Sequence, residues 1–148
     1  MKKSFLVSLT IIVLIIITLI GLILLKINKK KQEQLRVKKF NLEFEQYTEG
    51  QVFGTDIATL IGKAVNQNEK NKIQKDENGY FLENEQNSIK IYLKMNTIKN
   101  VYSMEEIYNK NVVNFVQNFN LIKFKCIEKQ YHKKTGQISK LVFEEQEE

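Results

Sequence analysis

The pattern of hydrophobic and polar positions divides the chain into three regimes. From Phe5 to Leu25 the sequence FLVSLTIIVLIIITLIGLILL is apolar on every side of a helix, 21 residues without a charge. Its only polar side chains are Ser8, Thr10 and Thr18, whose hydroxyls can bond back to helix carbonyls. At a rise of about 1.5 Å per residue, this length crosses a hydrocarbon core of about 30 Å. A cleaved signal peptide has an apolar region of about 7–15 residues and ends at a small-x-small site. This run is longer and ends in Leu-Leu-Lys, so the expectation is a retained single-pass membrane anchor.

The second regime keeps good helix formers but loses the apolar surplus. Residues 26–47, KINKKKQEQLRVKKFNLEFEQY, contain no Gly or Pro. They predict a helix continuing from the membrane to about residue 46. Phe40, Phe44 and Tyr47 are spaced by four and three, which puts three rings on one face for packing on a domain. FNLEFEQ also alternates, so an extended strand over 40–46 is the alternative. Thr48-Glu49-Gly50 predicts a turn.

In the third regime the period switches from helix to strand and back. GTDIATLIGKAVNQNEKN, residues 54–71, predicts a helix capped by Thr55 or Asp56. Ile57, Leu60, Ile61, Ala64 and Val65 form its buried stripe, and Ala58 and Gly62 are small enough for close backbone approach. KIQKDENGYFL, residues 72–82, reads as two short strands around a turn at Asp76–Gly79. SIKIYLKMN, residues 88–96, alternates with Ile89, Ile91 and Leu93 on one face, and Val101–Tyr102 extends the sheet. Ser103-Met-Glu-Glu106 is a capping box. It opens a helix to about 118 faced by Met104, Ile107, Tyr108, Val112, Phe115 and Phe119. The last 28 residues form two strands around KKTG, with Ile122, Phe124 and Cys126 on one and Leu141 and Phe143 on the other. Gly136 supplies the positive φ of their turn.

The predicted fold class is α+β. An N-terminal transmembrane helix continues into a juxtamembrane helix, followed by a small domain with an antiparallel sheet and two helices. The organisation is a short head over 1–4, the anchor over 5–25, a basic juxtamembrane helix over 26–39 and a single α+β domain over 40–148.

Charge changes the picture by where it lies. The chain carries +6, but residues 1–39 hold nine basic residues against Glu33 alone, and residues 40–148 hold 14 lysines against 16 acids. The excess positive charge therefore flanks the apolar run. The domain lacks the Lys/Arg cluster that phosphate backbones require, which excludes nucleic acid as a partner. Membrane lipid is the expected partner of the anchor, together with an unidentified protein or envelope component. Seven basic residues follow the apolar run and two precede it, which favours a cytoplasmic domain. A short charged head before an apolar run is also how exported anchors begin, so the side of the membrane stays open.

The candidate chemistry reduces to structure at each position. Lys134-Thr135-Gly136 matches one motif of penicillin-recognising enzymes, but none of Ser4, Ser8, Ser88, Ser103 and Ser139 has Lys three residues later, so the Ser-x-x-Lys nucleophile motif is absent. The triplet is expected to be a hairpin turn. Cys126 and His132 would stand about 20 Å apart on one strand, too far for a nucleophile and its base. Cys126 is expected in the core and His132 at an exposed strand end. Placing Gly79 at the sixth position of a calcium loop puts Gln74 first, where Asp is required. Gly54-Thr55 lacks the phosphate-loop spacing and reads as a helix cap. Glu105/Glu106 and Glu144/Glu145 are adjacent, and neighbouring carboxylates on a strand diverge. A single cysteine excludes an internal disulfide and a cysteine zinc site. The expectation is a non-enzymatic interaction domain with no catalytic, cofactor-binding or metal-ligating residue and no cofactor; one alternative is an enzyme whose sequence-distant carboxylates converge in the fold.

FNLEFEQY, GTDIATLIGKA, KDENGY, YSMEEI and the KFKC…LVFEE end carry a resemblance to short single-pass membrane-anchored proteins of AT-rich Gram-positive bacteria. It implies one modular domain and no known activity. The layout is also similar to type IV pilin-like subunits, in which an apolar helix runs into a domain with an antiparallel sheet. The chain departs from them in having no Gly cleavage site before the apolar run and no Glu five residues into it.

Overall fold

The computed structural model describes residues 2–96, 100–110 and 112–147. Met1, Glu148 and Asn111, which falls inside the helix predicted to 118, lie outside these. The chain forms two compact units, Met1–Arg36 and Val37–Glu148.

The first unit is helical. Helix α1 runs over Lys2–Glu45, and its most apolar window has a mean hydropathy of 3.1 with none of it buried. Thr18 Oγ1 donates to the Ile15 carbonyl at 2.8 Å, so this hydroxyl is satisfied by its own helix. Among the described residues there is thus one helix long and apolar enough to cross a membrane.

The second unit begins with the end of α1, so FNLEFEQ is helical and not a strand. It continues through β1 (Gln51–Phe53), α2 (Gly54–Lys70), β2 (Lys90–Lys94), β3 (Val101–Ser103), α3 (Met104–Asn109), α4 (Val112–Phe119), β4 (Lys123–Tyr131) and β5 (Ile138–Glu145). The strands form one sheet in the order β1-β4-β5-β2-β3. The fold is α+β, but its sheet is mixed where an antiparallel one was predicted. β5 pairs antiparallel with β4 through the KKTG turn and parallel with β2, with Ile91 opposite Leu141 and Leu93 opposite Phe143. The alternation of SIKIYLKMN marks which face is buried; it carries no information about which strand lies alongside.

The stripe of α2 packs as its spacing predicts. Ile57, Leu60, Ile61, Ala64 and Val65 meet Ile91, Leu93, Phe124, Leu141 and Phe143 in one core. Phe44 enters that core from α1, with Phe40 at a ring distance of 5.1 Å and Tyr47 packed beside it. Two asparagines on helices fasten the parallel pair. Asn68 on α2 donates to the Ile89 carbonyl at 2.8 Å and accepts from its N–H at 2.8 Å. Asn41 on α1 donates to the Gly136 carbonyl at 2.8 Å and accepts from the Ile138 N–H at 2.9 Å. A side-chain amide has the donor and acceptor of a peptide group, so each one holds the chain just as it enters β2 or β5.

Four local expectations are corrected. Residues 72–82 form a single bridge, Lys75 to Phe81, and no strands. The predicted helix over 103–118 comes as two helices, α3 and α4; its capping box is present, with the Ser103 N–H donating to Glu106 Oε2 at 3.0 Å and the Glu106 N–H to Ser103 Oγ at 3.3 Å. Helix α2 starts at Gly54 with Phe53 as its N-cap, and Asp56 accepts the Phe53 N–H at 3.1 Å from inside the first turn. Close approach occurs at Gly54, where a Cβ would lie 2.0 Å from the Phe119 carbonyl oxygen; around Gly62 there is nothing within 4 Å.

Candidate functional site

The register assigns two faces to the sheet, because residues directly opposite across a ladder share a face. One face is the core. The other collects Lys90, Tyr92 and Lys94 from β2, Lys140, Val142 and Glu144 from β5, and Lys125, Glu128 and Gln130 from β4. It carries four lysines and two glutamates, and some of them pair between strands. Lys140 lies 3.3 Å from Glu128 and 5.6 Å from the centre of the Tyr92 ring, and Lys94 lies 4.0 Å from Glu144. These partly exposed pairs contribute little stability, about 0–1 kcal/mol each. Their effect is to keep a broad polar surface in water while Val142 fills its centre, buried outside the main core.

At the β2 end of this face sits a buried ion pair. Lys90 Nζ donates to Glu105 Oε1 at 2.9 Å, with the two side chains 9% and 2% exposed. The same oxygen accepts the Phe81 N–H at 3.2 Å, while Glu105 Oε2 is buried without a hydrogen-bond partner among the described residues. Position explains the arrangement. Alternation turns Lys90 away from Ile89 and Ile91, and the Ser103 cap starts α3 so that Met104 and Ile107 enter the core while Glu105 turns to Lys90. Burial is the main cause that raises the Tyr92 phenol above its ordinary value, followed by the charges of Glu83 and Glu105. A lysine and a glutamate 15 positions apart give no local signal, so sequence reading missed the pair.

Each sequence-level candidate has a structural partner. In KKTG, Gly136 has φ +72° and its N–H donates to the His132 carbonyl at 2.8 Å, which is the predicted turn. Thr135 Oγ1 donates to the Gln86 carbonyl at 2.6 Å, and Lys134 pairs with Glu85. The turn is thereby tied to the 84–88 loop. His132 corrects the expectation of an exposed strand end: it is 6% exposed, with Nε2 2.7 Å from the Ser88 carbonyl. A carbonyl only accepts, so Nε2 carries the proton. His132→Ala is expected to lower stability by about 1–3 kcal/mol, the cost of losing a buried hydrogen bond and orphaning its partner. A urea-midpoint shift below the error of the measurement would contradict that role.

Cys126 is half-buried against the core, its Sγ donating to the Glu128 carbonyl at 3.4 Å. β4 carries it away from His132, and the two have different partners. Burial, the largest cause, pushes the Cys126 thiol above its ordinary value. Because the thiolate is the reactive form, iodoacetamide at pH 8 should alkylate Cys126 several-fold more slowly in the folded chain than in urea. Equal rates would place the thiol in open solvent.

Asp76 Oδ1 accepts the N–H groups of Asn78 and Tyr80 at 2.9 and 2.8 Å, and Gly79 has φ +81°. This carboxylate therefore builds a turn, and no group of three or more His, Cys, Asp or Glu side chains is placed to hold a metal among the described residues. At the start of α2 the Gly54 N–H donates to the Ile122 carbonyl at 3.1 Å, so its own chain occupies the first of the free donors. The paired carboxylates diverge as predicted. Glu106 caps α3 while Glu105 meets Lys90, and Glu144 faces Lys94 while Glu145 accepts the Asn96 N–H at 2.8 Å.

Fold and site together define an α+β protein with, among the described residues, a mixed five-stranded sheet, one polar sheet face and one helix long and apolar enough to span a membrane. No protein-family model, no curated protein and no solved structure matches the chain.

Proposed function

We propose that the chain is a membrane-anchored, non-enzymatic interaction domain whose polar sheet face receives a protein or envelope partner. The observation that carries this reading is the combination of an uncovered apolar helix with a sheet that packs α2 on one side and presents charges of both signs on the other. The reading is supported further by the candidate nucleophile, base and carboxylates, which are engaged in turns, caps and buried pairs. Charges of both signs across about three strands suit a partner of complementary pattern, because such surfaces set orientation and exclude wrong partners.

The test is site-specific photocrosslinking in native membranes. A crosslinker at Gln130, exposed on the polar face, should give one adduct larger than the chain, and a crosslinker at Asn66, exposed on α2, should not. Equal or absent adducts at both positions would reject the polar face as the recognition surface. A second reading, a pilin-like assembly subunit, is favoured by the last turns of α1, whose Phe44 is built into the domain core. It expects a ladder of adducts in multiples of the chain's own mass.

A further inference from the structure

We infer that Lys26, Lys29, Lys30 and Lys31 form a collar that binds the headgroups of anionic phospholipids around α1. The inference rests on the reading of Phe5–Leu25 as a membrane span and names the chemistry of its surroundings. All four lysines are exposed on α1, and none has an ion-pair partner among the described residues. The one acid of this stretch, Glu33, is also unpaired there.

Axial position selects these four from the seven basic residues that follow the apolar run. From Leu25 to Lys31 the helix rises about 9 Å. The polar layer on each side of the hydrocarbon core is about 6 Å thick, and the screening length is about 8–10 Å at ordinary salt. Lysine stems extend along a helix to bring the ammonium to the headgroup level. Arg36, Lys38 and Lys39 stand about 16–21 Å beyond Leu25 along the helix, more than a screening length away.

Angular position selects the ligand. At about 100° per residue the four lysines lie near 0°, 300°, 40° and 140° round the helix, an arc of about 200°. The face of a protein or a nucleic-acid groove touches a narrower strip of a helix, about 100° wide. A headgroup layer surrounds any helix that passes through it. The scattered lysines therefore match a partner that encircles the helix, and phospholipid phosphates are the anions that do so at this depth.

The experiment reconstitutes the full chain in vesicles of phosphatidylcholine and phosphatidylglycerol in equal parts. Electron spin resonance with spin-labelled forms of each lipid then gives their relative association with the protein. At about 0.1 M salt, phosphatidylglycerol should be preferred about fivefold, the ratio equivalent to about 1 kcal/mol per basic residue at the surface. Replacing Lys26, Lys29, Lys30 and Lys31 by Gln should lower the ratio to the smaller preference that Lys2 and Lys3 hold at the opposite face, and replacing Arg36, Lys38 and Lys39 by Gln should leave it unchanged. A wild-type ratio of one, a preference undiminished by the fourfold change, or equal losses in both variants would overturn the collar. Resistance to alkaline extraction separates the premises. A chain stripped from the vesicles refutes the span, and a chain retained without lipid preference refutes the collar alone.

Discussion

Lys90→Met is expected to destabilise the domain by about 3–5 kcal/mol, read as a lower urea midpoint at unchanged slope. Methionine fills the volume of the lysine stem but removes the ammonium from Glu105, whose side chain is 2% exposed. The carboxylate would keep only the Phe81 N–H, with Oε2 already lacking a partner among the described residues. A charge left uncompensated in the interior costs far more than the pair contributes when intact. Lys90→Met combined with Glu105→Gln should therefore recover most of the loss, since glutamine still accepts the Phe81 N–H and carries no charge. If Lys90→Met alone costs under about 1 kcal/mol, the pair behaves as a surface salt bridge and is not desolvated.

Gly54→Ala is expected to cost about 3 kcal/mol, and Gly62→Ala to stabilise by about 0.5–1 kcal/mol. The contrast comes from two glycines of one helix in opposite surroundings. A Cβ on Gly54 would lie 2.0 Å from the Phe119 carbonyl oxygen and 2.7 Å from its carbon. Both are backbone atoms, so no rotamer change relieves the overlap and the α2–α4 contact must open. Around Gly62 there is nothing within 4 Å, so alanine there only reduces the freedom of the unfolded chain. Thermal unfolding of both variants decides the matter. Equal midpoints would mean that the end of α4 moves aside freely.

Elements whose physics is local were legible in the sequence. The apolar run gives α1, the stripe from Ile57 to Val65 gives the buried face of α2, the Ser103–Glu106 box gives the start of α3, and Gly136 gives the β4–β5 turn. What depends on distant partners was not. The polar pattern of SIKIYLKMN places Lys90 on the outer face correctly, but its burial depends on Glu105 and on the chain at Phe81. His132 read as an exposed strand end because it follows a strand, but it is buried and bound to the Ser88 carbonyl, 44 positions earlier. KDENGY carries true turn chemistry at Asp76 and Gly79, yet its flanks are too short of β-branched residues to form strands, and one bridge is all that results. The three-residue β1 is too brief to show any period. Of the polar face, sequence alternation supplies the membership on β2 and β5, while on β4 the register shift between Cys126 and Glu128 breaks it; the order of the strands, which makes it one surface, lies outside local pattern.

The place of β5 in the sheet sets a timetable for biosynthesis. The last strand of the chain is the middle one, with β4 on one side and β2 on the other. Until Ile138–Glu145 has left the ribosome, β2 and β4 have no bond to each other and the sheet is two separate halves. The apolar run is complete roughly 6–24 s earlier at about 5–20 residues per second. On the proposed reading of α1 as an anchor, insertion precedes closure of the sheet, and the chain that enters the membrane is an open one. A nascent chain stopped before Ile138 would lack its central strand and expose two inner strand edges, the kind of product that proteases remove.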